Sequence, residues 1–445
     1  MKLFLFILLL PIISADLFLE NWIGQLSPIY ENRTIFDLRL PATHDSLSYD
    51  LGYTISDGAW DNHPYISDIL HILSYTNITP NSWIRDNAMT QSLNITEQLN
   101  NGIRFIDFRI MYTANDWYSL HFLQSKRKAL EYMKIISDWL RSHKDEIIII
   151  ECTRHGQECA PEYEEYPNVP LINKQEFWNA TKDIFDNLII DTKPNLLNKT
   201  PLKELIVNNK RVLFLMADYS NFTNNDSKAY DLCKHVESNG NGGTWPYQNK
   251  IDRAKDIFSV SHHLNKKYSS NNKFFTYYIN FLEPSYDTLL YSLEIRYLPE
   301  KNTKKSLEKC SKLFEIPGMN MWCPKYLLDG SQQSNFYHQI VLDYGYKKGW
   351  DMPFVLAVDA LDKGGGIRVG SQLISNKTIS NNKFSNATYP YNDIIIYNII
   401  SKWCSNNYNL HCSYLHTLIE NRLQNKGIQL WNEVETGRLK DWLKI

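Results

Sequence analysis

Residues 146–152 read EIIIIEC, four consecutive isoleucines between two glutamates. A strand with one solvated face alternates apolar and polar residues, so an unbroken apolar run has to be covered on both faces. Double burial of that kind belongs to a parallel sheet flanked by helices, and it constrains the fold of this chain more than any other feature. Similar runs recur in KRVLFLMADYS (210–220) and FVLAVDAL (354–361). Segments of helical period lie between them. KRKALEYMKIISDWLRSHK (126–144) sets Leu130, Met133, Ile136, Trp139 and Leu140 on one face, and QEFWNATKDIFDNLI (175–189) reads as a second helix. Further strands are expected at TIFDLRL (34–40), IRFIDFRI (103–110), WYSLHFL (117–123) and NKFFTYYINF (272–281). A short helix is expected over SLNITEQL (92–99), stopped at Gly102, and another over NFYHQIVLDYGYKKGW (335–350). Strand and helix alternating along the chain predict an α/β protein with a parallel sheet. The Asn-, Gly- and Lys-rich segment 221–270 and the segment 371–390 read as long loops or insertions, and 391–445 as helical.

Composition narrows the function classes. The chain has 445 residues, 43% of them hydrophobic, and a formal net charge of −2, which gives no case for nucleic-acid binding. Its first fifteen residues, MKLFLFILLLPIISA, have a basic start, an apolar stretch too short to span a bilayer and a small-residue end at Ala15. They read as a secretory leader, and the C-terminal GRLKDWLKI offers no hydrophobic anchor. Asn-x-Ser/Thr sequons at Asn32, Asn77, Asn94, Asn179, Asn198, Asn221, Asn225, Asn376 and Asn386 agree with export. Seven cysteines allow up to three disulfides and one odd thiol, with Cys310–Cys323 and Cys404–Cys412 as short-loop pairs. No CxxC spacing is present to hold zinc. The expectation is a secreted, monomeric protein with no transmembrane segment.

Four of the apolar strands end in or carry polar groups: His44 and Asp45, then Asp107 and Arg109, then His121, and finally Asp359. In a parallel α/β sheet or barrel the C-terminal strand ends face one crevice, where the chemistry is kept. Two histidines, an arginine and carboxylates gathered there suit cleavage of a phosphodiester. One imidazole takes a proton from the attacking hydroxyl, and the other gives one to the leaving oxygen. The guanidinium binds the phosphate and stabilises charge developing on its oxygens. Carboxylates beside each imidazole fix its tautomer.

These blocks carry a resemblance. THDS (43–46) after a strand, TQSLNITEQLNNGIRFIDFRI (90–110), a strand bearing His121 and a helix running into SHKDEIIIIE (142–151) together resemble the X domain of phosphatidylinositol-specific phospholipases C. The match covers residues 34–151. KKGWDMPFVLAVDALDKGGGIRVG (347–370) is similar to the closing strand of secreted or microbial members, and 155–330 has no aligned counterpart. The resemblance implies an irregular TIM-like (β/α) barrel over residues 16–370, with 371–445 as a helical extension packed on it. It implies cleavage of phosphatidylinositol, or of its glycosylated anchors, at a membrane surface, by attack of the inositol 2-hydroxyl. The products are diacylglycerol and a cyclic inositol phosphate.

Position by position, His44 matches the general base, His121 the general acid and Asp45 the carboxylate coupled to the acid. Arg109 matches the phosphate-binding arginine of metal-independent bacterial enzymes, where calcium-dependent animal enzymes carry a metal-ligating carboxylate. No cofactor is implied, although Asp107 matches an acidic calcium-binding position and leaves that metal open. The partner of His44 is Asp359, or Asp343 if 335–350 is a strand. Glu151, Arg154, Asp218 and Tyr219, at other strand ends, are substrate-pocket candidates, and Trp60 and Trp83 are candidates for a membrane-facing rim. Phe122 stands after His121 where the family usually has Gly, which puts bulk beside the proposed acid. Gly364–Gly366 is a turn and no phosphate loop, and His262-His263 is solvated chain. Alternatives within the same barrel are another phospholipid, a soluble phosphodiester, or lipid or glycan binding without catalysis.

Overall fold

The computed structural model describes residues 19–56, 80–153, 169–191, 194–240, 247–279 and most of 350–361, with short pieces at 328, 331, 368–369 and 372–373. Residues 1–18 with the expected leader, the segment holding Asp343, the four cysteines of the proposed short-loop pairs and nearly all of 371–445 lie outside these residues, as do Trp60, Arg154 and Gly364–Gly366.

Eight parallel strands follow one another round a ring: β1 (Leu40–Thr43), β3 (Phe105–Thr113), β6 (Ile148–Thr153), β7 (Val212–Met216), β8 (Tyr230–Asp231), β9 (Val236–Gly240), β10 (Phe274–Ile279) and β11 (Val355–Val358). β11 pairs back onto β1, Leu40 against Val355 through Thr43 against Val358, and closes the ring. Among the described residues, every neighbouring pair is joined in parallel except β8 and β9. Only the four-residue helix Leu232–His235 separates those two, far short of the dozen residues a parallel crossover needs, so a seam stays open there. The result is an irregular TIM-like (β/α) barrel.

The continuous apolar runs resolve into two interleaved rows. Leu40, Ala42, Phe105, Ile149, Leu213, Leu215, Val355 and Ala357 fill the barrel. Their neighbours Ile106, Phe108, Ile148, Ile150, Val212, Phe214 and Met216 face outward. There they meet Tyr132, Met133, Ile136 and Leu140 of a helix over Ala129–Ser142, and Phe177 and Trp178 of a helix over Leu171–Phe185. Each fully covered aliphatic or aromatic side chain contributes about 1.5–3 kcal/mol, which is why double-sided rows dominate the fold.

β3 serves two sheets. Residues 105–109 pair in parallel with β6, while 110–113 run antiparallel to β4 (Asp116–His121). Then β5 (Leu123–Lys128) and β2 (Leu51–Ile55) extend an antiparallel flap. The sequence reading took 117–123 as one strand, whereas the chain reverses at Phe122, whose φ is 60°. Other differences have local causes. TIFDLRL starts as a 3-10 turn, because the Asp37 carboxylate accepts from the Thr34 backbone and hydroxyl, and the strand begins only at Leu40. The described part of residues 221–270 is more than a long loop: it holds β8, β9 and a helix over Tyr247–Ser270. That helix buries Ala254, Phe258, Ser261 and Asn265, a one-face stripe at helical spacing whose polar half hides it in the sequence. Among the described residues no helix is long and apolar enough to cross a membrane.

Candidate active site

The inward row of each strand continues into the barrel mouth. His44 follows Leu40 and Ala42, Asp107 and Arg109 follow Phe105, Glu151 follows Ile149, and Asp359 follows Val355 and Ala357, each two residues on. The β3–β4 hairpin brings in the other histidine. Ile110 pairs with Ser119, and β4 ends two residues further on at His121, whose Nδ1 lies 3.3 Å from Asp45 Oδ2. His44 and His121 face each other edge to face with ring centroids 6.4 Å apart.

Hydrogen bonds fix both tautomers. His44 Nδ1 lies 2.7 Å from Asp359 Oδ1, and His121 Nδ1 lies 2.6 Å from the Ala88 carbonyl oxygen. A carboxylate and a carbonyl only accept, so each Nδ1 carries the hydrogen and each Nε2 is the atom that can exchange a proton with a ligand. Asp45 sits between the rings: its Oδ2 is 3.4 Å from His44 Nε2 and 3.3 Å from His121 Nδ1, and its Oδ1 is 2.6 Å from Arg109 Nε. Asp107 receives Arg109 Nη2 at 3.0 Å and the Asp45 backbone N–H at 2.9 Å. Arg109 is thus held by two carboxylates, with 15% of its side chain exposed.

Burial and charge separate the two imidazoles. Burial lowers the His44 pKa, but the Asp45 and Asp359 carboxylates outweigh it and the opposing Arg109, and the net shift is upward. For His121, burial, Arg109 and His44 together overcome Asp45 and the Ala88 carbonyl, so its pKa falls.

A divalent ion fits this donor set poorly. His44, Asp45 and Asp107 bring ligand atoms within 4.8 Å of one another. Calcium prefers six to eight oxygens, yet one donor here is a nitrogen and both carboxylates already bind the Arg109 guanidinium.

The structure brings His44, Asp45, Asp107, Arg109, His121 and Asp359 together, with Glu151 buried in register beside Asp107. Tyr219 is elsewhere: it packs against the outer core, and its hydroxyl donates to the Asp226 carbonyl. Asp218 is tied to Lys174. Trp83 is buried, so it forms no part of an exposed rim. Phe122 occupies the left-handed region that favours glycine, and packs near Leu51, Ala88 and Leu123 while its ring lies 5.1 Å from that of His121. Sequence reasoning passed over Ala88, Thr90 and Gln91. Ala88 acts through its carbonyl, which no side-chain pattern reveals; the other two are a polar Thr-Gln pair whose side chains are both fully buried.

The family model PI-PLC X 1 matches residues 82–235. The chain is 27% identical over 151 residues to PI-PLC X domain-containing protein 1 of Mus musculus, covering 31% of this chain and 41% of that protein. It is 28% identical over 142 residues to PI-PLC X domain-containing protein 2 of Homo sapiens, covering 31% and 44%. The matched part therefore spans under half the length of these relatives. Among solved structures, a point mutant of the phosphatidylinositol-specific phospholipase C from Staphylococcus aureus superposes with a TM-score of 0.47 at 12% identity, over 84% of this chain and 100% of that one. The Listeria monocytogenes enzyme gives 0.36 at 16%, over 66% and 98%.

Proposed function

We propose, from the match of residues 82–235 to the PI-PLC X 1 family model, that the barrel mouth cleaves the phosphodiester of phosphatidylinositol or of its glycosylated anchors, on an exported protein working at a membrane surface. The observation that carries this reading is the facing pair of imidazoles, each with Nδ1 committed to an acceptor and Nε2 as the proton-exchanging atom, beside one guanidinium. His44 Nε2 takes the proton of the inositol 2-hydroxyl as its oxygen bonds to phosphorus. His121 Nε2 protonates the diacylglycerol oxygen as the P–O bond breaks, leaving a cyclic inositol phosphate. Arg109 stabilises charge on the phosphoryl oxygens, and Asp45 and Asp107 hold it in place. Asp359 orients His44, and Glu151 lies close enough to Asp107 to bound the headgroup pocket. No step here requires a metal ion.

Phosphatidylinositol vesicles treated with the purified protein in excess chelator test it. Cyclic inositol phosphate is expected, with His44→Ala and His121→Ala each losing about 10²–10⁴-fold in rate. Product that appears only with added calcium overturns the metal-free mechanism. No product under either condition overturns this substrate assignment and turns attention to other phosphodiesters or to binding without catalysis.

A further inference from the structure

Thr90 and Gln91 lie wholly buried where the first and last strands of the barrel meet. Gln91 Nε2 donates to the His44 carbonyl at 3.0 Å and to the Val358 carbonyl at 2.8 Å, and its Oε1 accepts the Leu361 N–H at 3.3 Å. One side-chain amide therefore bridges β1 and β11 directly behind the His44–Asp359 pair. The Thr90 hydroxyl donates to the same His44 carbonyl at 2.8 Å, and the Thr90 carbonyl accepts the Ala360 N–H at 2.6 Å. Asp359 is thus gripped on both sides, through Val358 and Ala360. Ser48 Oγ accepts the backbone N–H groups of both Thr90 and Gln91, which fixes the pair to the loop after β1.

What is gripped is strained. Asp45, after His44, has φ of 45°, and Ala360, after Asp359, has φ of 48°. A left-handed non-glycine residue costs about 1–2 kcal/mol and persists only where its surroundings hold it. Two residues earlier in the same segment, the Ala88 carbonyl fixes His121. A four-residue stretch, 88–91, touches the supports of both imidazoles.

We propose that Gln91, with Thr90, is a positioning residue that sets the His44–Asp359 hydrogen bond and registers His44 against His121. Its kinetic side rests on the phosphodiesterase reading above; its structural side does not. In Gln91→Met, similar in length but without the amide, the pair loosens. The low-field proton resonance of the 2.7 Å His44–Asp359 hydrogen bond is expected to vanish or shift upfield. Turnover on phosphatidylinositol is expected to fall about 10- to 100-fold in kcat with little change in KM. In an Asp359→Asn background the same substitution is expected to cost less than about threefold, because its route of action is already gone. Thr90→Val is read by the same measurements and stands in if Gln91→Met does not fold. A variant that loses thermal stability while keeping the resonance of the wild type overturns the proposal, whether or not the protein turns over this lipid. So does an undiminished loss in the Asp359→Asn background.

Discussion

Asp45 lies 3.4 Å from one imidazole and 3.3 Å from the other, so His44 and His121 share one counter-charge and titrate as a pair. Asp359 breaks the symmetry by adding a second carboxylate to His44 alone. The first proton taken up therefore settles on His44, whose pKa is raised, rather than on His121, whose pKa is lowered. The proposed acid–base mechanism needs the opposite placement, a neutral His44 and a protonated His121, so under it the productive form is the minor of the two singly protonated states. Turnover by that mechanism is expected to follow a bell in which the acid limb is the lower pKa of the pair and the alkaline limb the higher, set mainly by His44. Asp359→Asn removes a charge that raises His44. The alkaline limb of kcat/KM is expected to move to lower pH and narrow the bell, while kcat drops about 100-fold as the ring loses its orientation. A pH–rate profile checks the sign: an alkaline limb that stays in place assigns the higher pKa to another group.

Below the mouth, elements are locked by a buried ion pair. Arg104 Nε meets Glu146 Oε2 at 2.6 Å where β3 and β6 begin, both side chains fully buried. The remaining guanidinium donors reach the carbonyls of Leu99, Ile103, Leu19 and Glu20, and Glu146 accepts the Ile23 and Gly24 N–H groups at the start of a helix over Trp22–Tyr30. The N-terminal segment is thereby latched across the foot of the barrel. Glu146→Ala leaves Arg104 charged, buried and short of its partner, and is expected to cost about 3–5 kcal/mol in urea unfolding. A loss below about 1 kcal/mol would mean that water enters and solvates the arginine. How much of this was legible varied with what each residue faces. The strands covered on both sides announced themselves as apolar runs, and His44, Arg109, His121 and Asp359 stood out as polar residues at their ends. Arg104 and Glu146 did not, since a buried ion pair looks like two ordinary edge charges until its partners are known. The 247–270 helix stayed hidden because half of its buried stripe is Ser261 and Asn265.

Closure of the ring is a property of the whole molecule, and periodicity carries no trace of it. His44 and Asp359 stand 315 residues apart and meet only because β11 pairs with β1. The cluster at the barrel mouth therefore does not exist in any part of the barrel folded alone, and such long-range pairing is slow to form. The open seam has a different origin, the four residues between β8 and β9, and among the described residues it leaves one strand edge on each side of that gap. Strands bonded on both sides open only with the global transition, whereas edges open locally. Amides of β6 and β7, which have strand neighbours on both sides and are buried except at Thr153, are therefore expected to exchange with solvent deuterium more than about 10-fold slower than those of β8 and β9. Hydrogen exchange read by mass spectrometry on peptides 148–153, 212–216 and 230–240 decides it. The β1–β11 junction, at the far side of the ring from the seam, is expected to behave like β6, because its opening would dismantle the His44–Asp359 contact. Equal protection at 230–240 would show that the seam is closed in solution. Rapid exchange at 40–43 would show that the first and last strands part without unfolding the rest, and that the site is assembled only part of the time.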